Sequence, residues 1–346
     1  MLEGIKVVEV AYFYPGPYCT QLLAELGAEV IKIEPLGGEP MRYNKATFAA
    51  LNRNKKSMFL DLKSEKDKQK FFEVVKDSDV VVEGFRPGVA KKLGIDYESV
   101  KKINPTIIYC SISGFGQDSS LKDIPVHDIN VMSFAGICKI TGLKFDKPTD
   151  PNVQLSDYAS AMFAAVSILA ALIRKTKSGE GCYIDLSMMD SAFASIPLHT
   201  SQLLNSLGNL KDFVRNPGYE IYEVKDGFVS LGIMDEPHFW RNLCNVLDIK
   251  FAEIGYAERI ERYDELKKTI QEKLGKYNVN EVSGLLRKAN VPFGIVNSVE
   301  DAKSIVDERG ILGRAKYDGK IYDIVGFPAV FSNYKPRRDG EVPELE

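Results

Sequence analysis

At 346 residues the chain has room for about two domains and a sizeable core. A composition 45% hydrophobic and 27% charged is that of a globular protein and excludes general disorder. The 45 basic and 48 acidic side chains leave a net charge of −3, so no global positive field recruits nucleic acid and an anionic ligand must be held locally.

The first residues run directly into Gly4-Ile5-Lys6-Val7-Val8-Glu9-Val10, with no basic n-region and no separate apolar h-region, so no signal peptide is expected. Strand-like segments at 5–11, 29–34, 79–83 and 106–112 alternate with helical patterns at 18–26 (Tyr18, Leu22, Leu23, Leu26, closed by Gly27) and 65–76. Repeated strand, helix, strand predicts an α/β fold with an open parallel sheet. Its first turn, Ala11 to Pro17, lacks G-x-G-x-x-G, so a nicotinamide cofactor is not expected.

Basic residues cluster at Arg53, Lys55 and Lys56, at Arg86, and at Lys91 and Lys92. Such runs are either solvated surface or phosphate ligands at the carboxyl ends of parallel strands, where open α/β sheets bind their ligands. Arg86 follows strand 79–82 directly and sits at that edge.

His127, in Pro125-Val126-His127-Asp128-Ile129-Asn130, is one of three histidines. It is either a loop residue satisfied by a backbone carbonyl or a base. Asp157 immediately precedes a helical run and reads as an N-cap. The same position suits a base or nucleophile, which the helix dipole would keep ionised. The apolar run 158–173 is sixteen residues, short of the roughly 20 that span a bilayer, so a buried helix over 157–177 is expected and no membrane partner.

A turn at 178–181, a strand at 182–186 and a helix from Met188 follow, and then a polar, glycine-bearing linker at 205–218. Strands at 219–224 and 228–233, joined at Asp226-Gly227, begin a smaller α+β domain over 219–300, with helices at 237–247, 261–275 and 279–289 and a strand near 293–297. Glu236 precedes Pro237 at a helix start; it is either a dipole partner or the carboxylate that fixes a histidine tautomer. A return linker is expected at 301–314, and 335–346 reads as partly disordered. Cys19, Cys110, Cys138, Cys182 and Cys244 show no C-x-x-C spacing, so no metal site is expected; the odd count fits a reducing, cytoplasmic setting.

Several segments together carry a resemblance. They are Gly4 to Glu9, Leu22 to Pro35 with Leu26-Gly27-Ala28-Glu29-Val30-Ile31-Lys32-Ile33-Glu34, Asn52 to Ser57 with Leu60-Asp61-Leu62-Lys63, and Glu83-Gly84-Phe85-Arg86-Pro87-Gly88. Ser113-Gly114-Phe115-Gly116-Gln117, the Asp157 helix, and Ser178-Gly179-Glu180-Gly181 with Asp185 continue the series. The sequence resembles the family III coenzyme A transferases, the group that includes formyl-CoA transferase, carnitine-CoA transferase and alpha-methylacyl-CoA racemase.

The resemblance implies a Rossmann-like large domain (1–204, completed by about 315–346), an interlocked homodimer, and an acyl-CoA substrate with coenzyme A as part of it and no permanently bound cofactor. It implies Asp157 as the reactive carboxylate: a nucleophile in the transferases, and in the racemases one half of an acid/base pair with a histidine. His127 in His-Asp-Ile-Asn, Glu236 in Glu-Pro-x-Phe, the absence of a glycine-rich loop near 230–260 and the modest chain length point to the racemase. Arg42, Arg53, Lys56, Arg86 and Lys92 are the expected CoA contacts. Backbone N–H groups at the start of the Asp157 helix are the expected donors to the enolate oxygen.

Overall fold

The computed structural model describes residues 1–206 and 210–345; Gly208 and Asn209 of the expected linker lie outside the described residues. The chain forms two compact units, one of Met1–Cys138, Asp150–Pro197 and Val306–Glu346, the other of Lys139–Thr149 and Leu198–Ile305.

The first unit opens with β1 (Lys6–Val10), α1 (Pro15–Glu25), β2 (Glu29–Glu34), α2 (Lys45–Asn52), β3 (Lys55–Phe59), α3 (Glu65–Lys76), β4 (Val80–Glu83), α4 (Val89–Leu93), α5 (Tyr97–Ile103) and β5 (Ile108–Ser113). It continues through α6 (Asp128–Phe134), the first two residues of α7 (Ile137–Thr141), α8 (Leu155–Ser178), β6 (Cys182–Ser187) and α9 (Met188–Ala194). All six strands pair in parallel in the order β3-β2-β1-β4-β5-β6, so the chain reverses direction across the sheet between β1 and β4. That reversal opens a crevice at the carboxyl ends, where an α/β sheet takes its ligand.

Strand alternation explains the continuous apolar runs. Val80, Val82, Ile108 and Cys110 pack on α1 and α8, while Val81 and Tyr109 face Phe71, Val75 and Val100 on the opposite side. Covering both faces of the sheet demands a near-unbroken apolar strand. Among the described helices only α8 is long and apolar enough by composition to cross a membrane; half of its apolar window is buried against the protein, and it is a core helix of this unit.

β3 was absent from the predicted strands because Lys55-Lys56-Ser57-Met58-Phe59 reads as a basic run. It is a strand because the Lys55 ammonium is buried and paired with Glu9 Oε2 at 2.8 Å.

The second unit contains most of α10 (Pro197–Leu204), α11 (Leu210–Val214), β7 (Ile221–Val224), β8 (Gly227–Leu231), α12 (Pro237–Leu247), α13 (Tyr256–Glu261), α14 (Tyr263–Leu274), α15 (Val279–Lys288), β9 (Phe293–Ile295) and most of α16 (Val299–Asp307). Its antiparallel sheet, β7-β8-β9, covers a core of Trp240, Leu243, Leu266, Ile270 and Leu286. Residues 299–307, placed largely in a return linker by the sequence, are helical, and the chain re-enters the first unit at Val306.

The remaining chain forms β10 (Leu312–Tyr317), β11 (Lys320–Val325) and β12 (Gly340–Glu341), in the order β11-β10-β12. Ala315, Tyr317, Ile324 and Val342 pack on Phe48 of α2. The stretch 335–346 was expected to be partly disordered; in its described part, 335–345, Arg338 and Val342 are buried, and Arg338 donates to the carbonyls of Gly310, Phe327 and Ala329.

Candidate active site

Asp157 and Asp128 meet at the amino end of α8. The expected N-cap was Asp157, but α8 begins at Leu155, Gln154 occupies the cap position without a capping side-chain bond, and Asp157 is the third helical residue. The capping oxygen comes from Asp128, in the first turn of α6. Its Oδ1 accepts from the Ser156 N–H at 2.8 Å, the Asp157 N–H at 3.0 Å and the Ser156 hydroxyl at 2.5 Å. Asp128 is 9% exposed and is the neighbour of His127 in the chain, so one carboxylate ties the histidine loop to the aspartate helix.

The donors expected to face an enolate are thereby already used. Leu155 N–H goes to the Val153 carbonyl, Ser156 and Asp157 N–H go to Asp128, and Tyr158 N–H goes to the Gln154 carbonyl. Among the described residues the N–H groups of Asp128 and Ile129 have no acceptor, as the first turn of a helix leaves them.

The electrostatics of Asp157 also differ from the expectation. The helix dipole does not keep it ionised: burial, with the Asp128 charge added, pushes its carboxyl up to about 7. The rings of Tyr14, the N-cap of α1, Tyr18 on α1 and Tyr158 follow one another in contact; the Tyr14 phenol is pushed to about 12 by burial, with Tyr18 and Asp157 adding to it. An acid titrating near neutrality is suited to both giving and taking a proton.

Asp128 was not among the sequence candidates. The signal for it was indirect: nothing at 153–154 is a strong cap for α8, so the cap had to come from elsewhere. Replacing Asp128 with alanine orphans two backbone N–H groups and leaves the Ser156 hydroxyl only the backbone carbonyl of residue 128, at 3.3 Å, and the expected loss is roughly 2–3 kcal/mol in equilibrium unfolding. Asp128→Asn keeps an acceptor and removes the charge, so the acid limb of the pH–rate profile should move to lower pH with the fold intact.

His127 is exposed and begins α6, its N–H donating to Asn130 Oδ1 at 3.0 Å. The Phe13 ring stands edge-on to the imidazole, with centroids 6.2 Å apart. Phe13 belongs to the β1–α1 turn at the carboxyl edge of the sheet, so His127 and Asp157 both border the turn that carries Phe13 and Tyr14.

The five basic candidates separate. Arg42 is buried in an ion pair with Glu34, donates to Tyr317 Oη and the Pro343 carbonyl at 3.0 Å each, and stacks over Phe48. Arg53, 1% exposed, pairs with Glu25 and donates to the Arg338 carbonyl. Both guanidinium groups are consumed in fastening the C-terminal segment to the rest of the first unit, which corrects their expected role as CoA contacts. Lys56 is exposed, paired with Glu29, and stands at the amino end of its strand, away from the ligand edge.

Arg86 and Lys92 are exposed and free of ion pairs among the described residues. Arg86 borders a cavity of about 120 Å³ with Tyr12, Phe85, Ser113, Lys122 and Met188, at the carboxyl ends of β1, β4 and β5. A second cavity, about 340 Å³, lies along the same edge between Leu36, Leu60, Leu62 and Phe85, with Lys63 beside it. The sequence candidates included neither Lys122 nor Lys63.

Glu236 belongs to the other unit. It is the N-cap of α12 and accepts the Met234 N–H at 2.9 Å. Beneath this loop the buried Arg259 donates to the Met234 carbonyl at 3.0 Å and stacks over Trp240. No group of three or more histidine, cysteine or acidic residues among the described residues could hold a metal ion.

A six-stranded parallel sheet with a half-buried carboxyl of raised pKa and a histidine at its ligand edge suits acyl-transfer or proton-transfer chemistry. The chain belongs to CoA-transferase family III, whose model matches residues 2–346. It is similar to succinate–glutarate CoA-transferase of Agrobacterium fabrum, 32% identical over 99% of this chain and 92% of that one. It is likewise similar to human alpha-methylacyl-CoA racemase, 34% identical over 77% of this chain and 70% of that one. A CaiB/BaiF family protein from Brucella suis has the same fold, with a TM-score of 0.86, 28% identity and coverage of 99% and 96% of the two chains. Because a named transferase aligns over nearly its whole length, the short chain does not separate racemase from transferase.

Proposed function

We propose that the chain epimerises 2-methylacyl-CoA thioesters, with Asp157 and His127 as the acid/base pair. The observation that carries this reading is the tie made by Asp128, the chain neighbour of His127, which accepts the Asp157 N–H at 3.0 Å and so sets the histidine loop beside Asp157, whose carboxyl burial pushes up to about 7. A nucleophile for acyl transfer works as the carboxylate, whereas a group that alternates between acid and base works best when it titrates near the working pH. One residue removes the α-proton from one face and leaves an enolate; the other delivers a proton to the opposite face. In the reverse direction their protonation states exchange.

The enolate oxygen needs oriented donors, and the free Asp128 and Ile129 N–H groups beside His127 are the candidates. Coenzyme A enters as part of the substrate. Arg86, Lys92 and Lys122 supply positive charge for its phosphates along the carboxyl edge, and the two cavities there offer apolar walls for the rest. Glu236 is the carboxylate proposed to orient the His127 imidazole, and the enzyme is proposed to act as a homodimer.

A second reading is CoA transfer between carboxylic acids through an Asp157 acyl anhydride and aspartyl-CoA thioester, and the similarity to a named transferase over 99% of the chain favours it. The two part in D₂O. The epimerase incorporates deuterium at the α-carbon of a 2-methylacyl-CoA with no acceptor acid present. Absence of exchange across a panel of acyl-CoAs, together with acceptor-dependent thioester transfer, overturns the first reading and establishes the second.

A further inference from the structure

Beneath the β1–α1 turn lies a group of charges that the proposed chemistry does not use. Glu9, Lys32 and Glu39 are at most 2% exposed, and Lys55 is 5% exposed. Lys32 pairs with Glu9 and, at 3.4 Å, with Glu39; Lys55 pairs with the other oxygen of Glu9. Burying four charges is a poor route to stability, because desolvation offsets most of the attraction and well-packed apolar replacements often leave stability unchanged or raised.

What the cluster does do is grip backbone. Lys32 Nζ donates to the Ala11 carbonyl at 2.8 Å, Glu39 Oε2 accepts from the Phe13 N–H at 3.2 Å, and Lys55 Nζ donates to the Pro17 carbonyl at 2.9 Å. The first two contacts fall on the β1–α1 turn itself and the third on the first turn of α1 directly after it, so the segment is held on both sides of Tyr14. The turn needs holding. Phe13 has φ 66°, a left-handed conformation that is strained for a bulky residue. At Gly16 a Cβ would come within 2.3 Å of the Ala11 Cβ, so the backbone there is folded tightly on itself. The gripped residue, Phe13, is the one whose ring faces His127.

We propose that Lys32, Glu39 and Lys55 are positioning residues of the active site, which hold the β1–α1 turn so that Phe13 stands edge-on to His127. They touch no reacting atom. Their effect passes through the turn, and the inference rests on the reading of His127 as an acid/base group.

The test is the double variant Lys32→Met/Glu39→Leu, which removes one charge of each sign and two of the three backbone contacts while leaving the Glu9–Lys55 pair. Phe13→Leu is the second variant; Phe13 is 40% exposed, so its replacement does not threaten folding. Thermal melting, KM and kcat are measured for whichever reaction the wild type performs, α-proton exchange or thioester transfer. The His127 ring protons are followed by NMR. The chain has three histidines, and His127→Gln identifies the resonance.

The double variant is expected to melt within a few degrees of the wild type, to keep KM, and to lose about tenfold or more in kcat, as displacement of a catalytic group does. Both variants are expected to shift the His127 resonances. Unchanged kcat and unchanged resonances overturn the proposal, and so does a double variant that fails to fold, since the cluster would then be structural. A wild type with neither activity refutes the reading of function instead, and the NMR comparison still decides the role of the turn.

Discussion

Asp157→Asn is expected to abolish both α-proton exchange and thioester transfer, by roughly 10³-fold or more, while making the protein more stable at alkaline pH. The loss is common to both chemistries because an amide is neither a base nor a nucleophile. The gain in stability follows from linkage. The folded carboxyl titrates at about 7, well above the 3.8 of an unperturbed aspartate. Its contribution to stability is therefore fully present below about pH 4 and is lost as the pH rises to 7, because the unfolded chain ionises freely while the folded chain must bury a charge beside Asp128. Asparagine carries no such cost. The variant and the wild type should unfold alike near pH 4 and diverge up to pH 7. They should then hold a constant gap of roughly 2–4 kcal/mol, read from urea unfolding at each pH. A gap that closes with rising pH contradicts the direction of the Asp157 shift.

His127→Gln is expected to separate inversion from exchange. With two opposed groups, loss of one leaves the other able to remove and return a proton on its own face. Inversion of a 2-methylacyl-CoA should fall by about 10²–10⁴-fold, the worth of one general acid/base group. Deuterium exchange should survive for the single enantiomer whose α-proton faces Asp157. The measurement is deuterium content and optical purity on the same sample, starting from each enantiomer in turn. If both enantiomers invert at the wild-type rate, His127 is not a base, and the loop carrying it is an ordinary helix start. Thioester transfer, where it occurs, needs only Asp157 and should be spared within a few fold.

Much of the scaffold was legible because its causes are local. The apolar runs of β1, β2, β4 and β5 and the patterns of α1 and α3 follow from a sheet buried on both faces, and Gly27 closes the first helix turn with φ 111°. The proposed acid/base pair was legible only through resemblance: on spacing alone His127 and Asp157 remained a loop histidine and a helix cap. The basic residues were read least well. Arg42, Arg53 and Lys55 have the same local appearance as phosphate ligands, and they are internal because Glu34, Glu25 and Glu9 wait for them in the fold.

By itself, then, the sequence determined a parallel α/β unit followed by a smaller α+β unit, and the family. These depend on periodicity and on residues contiguous in the chain. Only the tertiary structure decided what surrounds the Asp157 carboxyl. Asp128 lies 29 residues from Asp157, and Lys32 and Glu39 lie 21 and 26 residues from the backbone atoms they hold. Neither the near-neutral titration of Asp157 nor the posture of Phe13 against His127 has a cause within its own segment. Both arise from burial and from charges that the packing of separate elements brings together, and no local pattern encodes those distances.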